Sequence, residues 1–432
     1  MLELKIDALP LSSEEIQSEI NKRKEEILLV QQGKIGDINR LGWFTLPSQL
    51  DEYLAPIHEA AEKIKTIATH LIVVGIGGSN RGSMAAIQAL SHQISSPVTI
   101  TYAGDSLSQM HLQEALELVE KENVAINVIA KDFNTLEPGI TFRLLRTALQ
   151  KKYGSAYHQR VFVTGSRGPG QLFDLAQFHG YHFLDFPDNF GGRFSVLSAV
   201  GLLPMAVAGV DLYRLFHGAK AAESYLKSTE PEKNQGVIYA ITRNLLFQKN
   251  FTLESLVLFE PDLLHLGRWW VQLFAESEGK TENAIFPVSF MYSDDLHAVG
   301  QYVQEGRRCI AETYLKLFHP NKPLVIPESP EVSDGFDYLS GKEFQFLNET
   351  VYQAALEAHK NDGIPCTQFI SETTICPEII GYFFYYSFFV CYLSCVLLEV
   401  NPFDQEGVEG YKRNMYALLG KHHGNTRILG DI

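Results

Sequence analysis

Gln272 and Glu276 stand one helical turn apart in Q-L-F-A-E-S-E-G-K, with Glu278 and Lys280 close behind. The apolar residues Leu263, Leu264, Leu266, Trp269, Trp270, Leu273 and Phe274 predict a helix that ends here. Negative charge is unfavourable at a helix C-terminus, so two acids placed there point to a use other than stability. The plainer reading is a solvated helix end stapled by Lys280. Arg193 follows Gly191 and Gly192 in D-N-F-G-G-R-F-S. Paired glycines let backbone approach a ligand and aim the next side chain at it. The plainer reading is a buried arginine paired with Asp185 or Asp188. Gln405 and Lys412 belong to N-P-F-D-Q-E-G-V-E-G-Y-K, which leaves an uncharged helix and re-enters a second one near Val408. If both fall on the re-entering helix, they lie two turns apart on one face. A solvated charge face is the plainer reading. A carboxylate, a guanidinium and an ammonium are the parts needed to move a proton beside a developing negative charge.

These side chains need a frame. H-L-I-V-V-G reads as a buried strand closed by Gly75, and G-I-G-G-S-N-R-G turns the chain into a helix. Strand, glycine turn and helix make the first half of a β-α-β unit. V-T-I-T-Y-A-G, A-I-N-V-I-A and R-V-F-V-T-G read as further strands. The expected fold is α/β, with a doubly wound parallel sheet and helices on both faces. A second α/β unit follows an apolar helical stretch at residues 194–216, with strands at L-E-S-L-V-L-F, I-F-P-V-S-F and P-L-V-I-P. Residues 12–32, opened by Ser12-Ser13-Glu14-Glu15, and residues 50–69 read as helices. The expected division is an N-terminal helical segment (1–50), α/β domains over 51–215 and 216–410, and a C-terminal helix and tail (411–432).

The chain has 432 residues, 45% of them apolar, which is enough for two cores. Its formal net charge of −15 and the lack of a basic stripe argue against nucleic acid. An anionic ligand must then be attracted locally, because the global field repels it. Cys309, Cys366, Cys376, Cys391 and Cys395 show no C-x-x-C pair, and no His follows at zinc-finger distance. Such a set argues for a reducing cytoplasm and against a metal framework. The N-terminus lacks the long apolar run of a secretory signal. Residues 379–398 carry no charge and could span a bilayer by length. Their flanks, Glu378 and Glu399, lack the expected Lys or Arg, so a buried core helix is expected and no membrane.

V-V-G-I-G-G-S at 73–79, the 188–195 and 272–280 segments, and the 401–412 run, in that order, resemble the glucose-6-phosphate isomerase family in its shorter bacterial form. The resemblance spans most of the chain. It implies two stacked sugar-isomerase-type domains with the site between them. It also implies interconversion of glucose 6-phosphate and fructose 6-phosphate through an enediol(ate), with no cofactor and no metal. By the same resemblance Glu276 is the base, and Arg193 is the positive charge beside the enediolate. His297, in S-D-D-L-H-A-V-G-Q, is the ring-opening histidine, delivered from one subunit to the site of another, so a homodimer is implied. The plainer reading makes His297 an ordinary helix residue behind the capping acids Asp294 and Asp295. Lys412 works with that histidine at the ring oxygen. Gln405 and Gln272 bind the sugar, and Gly77, Gly78 and Ser79 form the first phosphate loop.

The second phosphate loop departs from the family. Relatives read S-K-S-G-T-T where this chain reads A-K-D-F-N-T, residues 130–135. Lys131 and Thr135 survive, while Ala130, Asp132, Phe133 and Asn134 replace the hydroxyls and the glycine. An Asp about 5 Å from a phosphate dianion costs on the order of several kcal/mol at an effective dielectric near 20. Arg81 stands where relatives usually have an apolar residue, and Arg81 and Asp132 are expected to pair. Two alternatives follow: an isomerase of altered sugar specificity, or a sugar-phosphate-binding protein with little turnover.

Overall fold

A computed structural model describes residues 2–421 except Leu9, Asp132, Thr281, Pro320, Asn321 and Pro330. It holds two five-stranded sheets. The strands are β1 (Leu2–Ala8), β2 (His70–Val74), β3 (Thr99–Ala103), β4 (Val124–Ala130), β5 (Val161–Gly165), β6 (His182–Asp185), β7 (Leu253–Leu258), β8 (Phe286–Met291), β9 (Ile310–Lys316) and β10 (Cys366–Ser371). The first sheet runs β3-β2-β4-β5-β6 and is parallel throughout. Val74 sits between Ala103 and Val128 in register. Its central strands are buried on both faces, which is why they read as unbroken apolar runs.

The second sheet runs β1-β10-β9-β7-β8. Its inner strands are parallel, and β1 joins the edge antiparallel. The strands β1, β6, β9 and β10 are not among those expected from the sequence. The expected P-L-V-I-P strand does not form: Val325 makes a single bridge to Glu343. Pro323 and Pro327 lack the N–H groups a ladder needs.

The helix expected at 12–32 is two helices, Ser13–Lys22 and Lys24–Gln31, opened by a Ser12–Glu15 capping box. The apolar stretch at 194–216 breaks at Gly209, between helices Ala199–Ala208 and Leu212–Ser228. The uncharged segment forms the helix Pro377–Leu397, and 94% of its apolar window is buried inside the protein. Trp43 packs on Tyr385, Phe388 and Tyr392 along it. Its Tyr385 hydroxyl is satisfied by the Phe44 carbonyl at 2.7 Å. The largest core cluster draws residues from both sheets and from this helix, which joins the units that carry the site.

Candidate active site

In the first sheet β2 is followed by β3 on one side, and the chain then crosses back to β4 on the other. Such a switch point opens a crevice outside the carboxyl ends of the strands, where open α/β sheets bind ligands. The turn Gly77–Ser79 follows β2 there, and residues 131–135 follow β4. Gly77 has φ of +61°, and a Cβ on it would lie 2.9 Å from Gln272 Nε2. A Cβ on Gly78 would lie 2.2 Å from the Gly192 carbonyl oxygen. Two backbone turns therefore touch directly at this point. Gly78→Ala is expected to force them apart, costing about 1–3 kcal/mol of stability by overpacking. Gly192→Ala, whose Cβ meets nothing within 4 Å, is the neutral control. Urea melts of the two variants check this pair.

Arg193 is 5% exposed, in the turn Gly192–Phe194. Its Nε donates to Ser277 Oγ at 2.9 Å and to the Pro402 carbonyl at 3.0 Å. Its Nη2 donates to the carbonyls of Pro402 and Asp404. Its Nη1 lies 3.2 Å from Glu276 Oε1 and 3.3 Å from Gln405 Oε1. One guanidinium thus ties three segments distant in sequence, and the carboxylate it meets is Glu276 rather than Asp185 or Asp188. Gln272 Nε2 donates to the other oxygen, Glu276 Oε2, at 3.1 Å.

The two acids at the end of helix Leu264–Glu278 have different fates. Glu276 faces the cleft. Glu278 is buried and bound to Arg243 at 2.6 Å, and Arg243 also holds Glu254. Lys280 reaches Asp404 and does not staple the helix end. Asp404 and Ser277 sit inside the same motifs as Gln405 and Glu276, and nothing in their spacing distinguishes them as site residues.

A cleft of about 670 Å³ opens beside Glu276, and Gly77, Arg81, Asp105, His265 and Arg268 line it. Arg81 Nη1 donates to the Arg268 carbonyl at 3.2 Å. Burial, and then Arg268, pull the Arg81 pKa below the usual guanidinium range, while Asp105 and Glu276 oppose them. Burial and the same two arginines lower the His265 pKa. Arg81 and Arg268 thus bring positive charge into this cleft, beside the carboxylates of Asp105 and Glu276. The partner expected for Arg81, Asp132, lies outside the described residues.

The phosphoglucose isomerase family profile matches residues 51–311. Glucose-6-phosphate isomerase from Alkaliphilus metalliredigens is 42% identical over 391 residues, 88% of this chain and 87% of the relative. The Fusobacterium nucleatum enzyme of the same name is 42% identical over 393 residues, 89% of this chain and 87% of that one. The chain belongs to the phosphoglucose isomerase family. The crystal structure of hypothetical protein TT0462 from Thermus thermophilus superposes with a TM-score of 0.85 at 27% identity, covering 97% of this chain and 100% of that one. Glucose-6-phosphate isomerase from Chlamydia trachomatis shares the fold, with a TM-score of 0.81 at 18% identity, covering 97% of this chain and 88% of that one.

Of the residues picked by family resemblance, the structure brings Gly77, Gly78, Arg193, Gln272, Glu276 and Gln405 together. Ser79 is half-buried in the same turn. Lys131 turns away: its ammonium donates to the Asp188 carbonyl at 3.1 Å and to the Phe190 carbonyl. Burial, then Arg40, lowers its pKa to about 8. Thr135 is exposed at the start of helix Leu136–Tyr153 and lines a separate cavity of about 410 Å³ with Asn134 and Tyr416. Lys412 pairs with Glu409 at 2.7 Å on helix Glu409–Leu418. Gln405 precedes the short turn Glu406–Val408 in a non-helical conformation, so it does not share a helix face with Lys412. The expected two-turn spacing fails because the helix begins four residues after Gln405. His297 is exposed at the end of the turn Asp294–His297 and is not among the residues that line the cleft.

Proposed function

We propose that Glu276 moves the proton as this chain interconverts glucose 6-phosphate and fructose 6-phosphate. One observation above all carries this assignment: Glu276 is held in the cleft by Arg193 at 3.2 Å and Gln272 at 3.1 Å. Glu276 takes the proton from C2 of the open-chain aldose. The electron pair of the broken C–H bond forms the C1–C2 double bond, and negative charge moves to oxygen. The Arg193 guanidinium stabilises that charge. A proton passes from the O2 hydroxyl to O1, C2 becomes the carbonyl, and Glu276 returns its proton to C1, which gives the ketose. Arg81, Arg268 and the turn Gly77–Ser79 attract the phosphate into the cleft.

Ring opening needs an acid and a base near the ring oxygen. Lys412 supplies one. His297 supplies the other from a second copy of the chain, since its own turn is exposed and does not line its own cleft. The protein therefore works as a homodimer with a shared site. Mixing Glu276→Gln with His297→Ala subunits is expected to restore activity, because one hybrid site then holds both native residues. Confirmed subunit exchange without activity overturns the shared site. Five free cysteines support a reducing cytoplasm as its location.

A coupled assay that oxidises glucose 6-phosphate as it forms from fructose 6-phosphate tests the activity directly. Turnover that depends on Glu276 supports the assignment. Fructose 6-phosphate consumption no faster than the blank overturns it.

A further inference from the structure

The second sheet has a switch point of its own. β7 is followed by β8 on one side, and the chain returns to β9 on the other. The crevice there lies outside the carboxyl ends of β7 and β9. Asp262 comes just after β7, and His319 just after β9. His92 reaches the same spot from the first unit, just past helix Arg81–Ala89. His92 Nε2 is 2.9 Å from Asp262 Oδ2, and His319 Nε2 is 3.2 Å from the same oxygen. The ligand atoms the three residues offer all lie within 4.8 Å of one another.

His319 gives the second, independent observation. It is 7% exposed, yet neither of its ring nitrogens has a hydrogen-bond partner. Its one close polar neighbour among the described residues is the Asp262 carboxylate, 3.2 Å from Nε2. Its Nδ1 has lost its hydration with no replacement, and its Nε2 has only the Asp262 carboxylate. Two imidazoles converging on one carboxylate oxygen is an arrangement that a cation completes. Ser91 Oγ donates to Asp262 Oδ2 at 3.4 Å and helps to orient the carboxylate.

We propose that His92, Asp262 and His319 bind one divalent transition-metal ion of the zinc type, clamping the first unit to the second. Two neutral imidazoles and one carboxylate form a donor set suited to such an ion, with water completing the coordination. Access is open, because His92 is exposed and His319 also lines a cavity of about 360 Å³. The site shares no residue with the isomerase centre, so its existence does not depend on that assignment. The helix Arg81–Ala89 links the two places: it starts beside the cleft and ends just before His92. The sequence hid the site because its ligands come from positions 92, 262 and 319, with no short motif.

The test uses the full chain stripped with a chelator and dialysed against Zn²⁺, with Co²⁺ as a visible-absorption probe. One equivalent is expected to bind and to raise the melting temperature. The Co²⁺ bands should be those of a low-coordinate nitrogen–oxygen site. His92→Ala removes an exposed side chain and should leave the fold intact. It is expected to weaken Zn²⁺ binding at least about tenfold, as is Asp262→Asn. Absence of binding overturns the proposal. So does affinity unchanged in His92→Ala and Asp262→Asn, which would place the metal on other histidines such as His422 and His423.

Discussion

Glu276→Gln is expected to lower kcat by about 10²–10⁴ while KM changes little. The substitution keeps the shape of the side chain and most of its neighbours, since Gln272 still has an oxygen to donate to. It removes the carboxylate that Arg193 and Gln272 hold in the cleft, the base of the proposed mechanism. Basicity is needed in the transition state and hardly at all for binding, so the loss falls on kcat. Steady-state kinetics in both directions read the effect. A variant within about threefold of wild type would remove Glu276 from the role of base.

Arg193→Lys should lose both rate and stability, for separable reasons. Lysine keeps the positive charge but cannot form the planar fork. Its single ammonium cannot serve Ser277, Pro402 and Asp404 together while also facing Glu276. A buried carbonyl left without a donor costs about 1–3 kcal/mol, so the melting temperature should fall. Loss of the aimed Nη1 should lower kcat by about 10²–10³, as for removal of a donor beside a developing oxyanion. A variant that melts earlier but turns over normally would make Arg193 a brace between segments and nothing more.

Much of this site is legible in the amino-acid sequence alone. Gln272 and Glu276 are local to one helix, and the glycine turns are local to one strand end. Helical spacing and turn chemistry act over a few residues, so the sequence displays them. The apolar strands of the first sheet are equally plain, because a strand buried on both faces must be apolar unless each polar atom finds a partner. β9 and β10, two of the four strands not expected, show why a strand can be missed. Glu312 of β9 is buried against His359, Tyr292 and Tyr314. Gln368 of β10 is buried against Tyr352. Apart from Tyr314 in β9 itself, those partners lie outside the strands they serve, so both strands look too polar to be core.

The sequence by itself determined the family, the α/β class and the chemical groups at one helix end and two glycine turns. Only the tertiary structure decided which charges meet. It sent Glu276 to Arg193 and Glu278 to Arg243, although the two acids are neighbours on one helix. It tied Lys280 to Asp404, turned Lys131 toward backbone carbonyls and gathered His92, Asp262 and His319 at the second switch point. Ion pairs and ligand sets form across whatever distance the fold closes. Their energy depends on burial and geometry that no local window of residues contains.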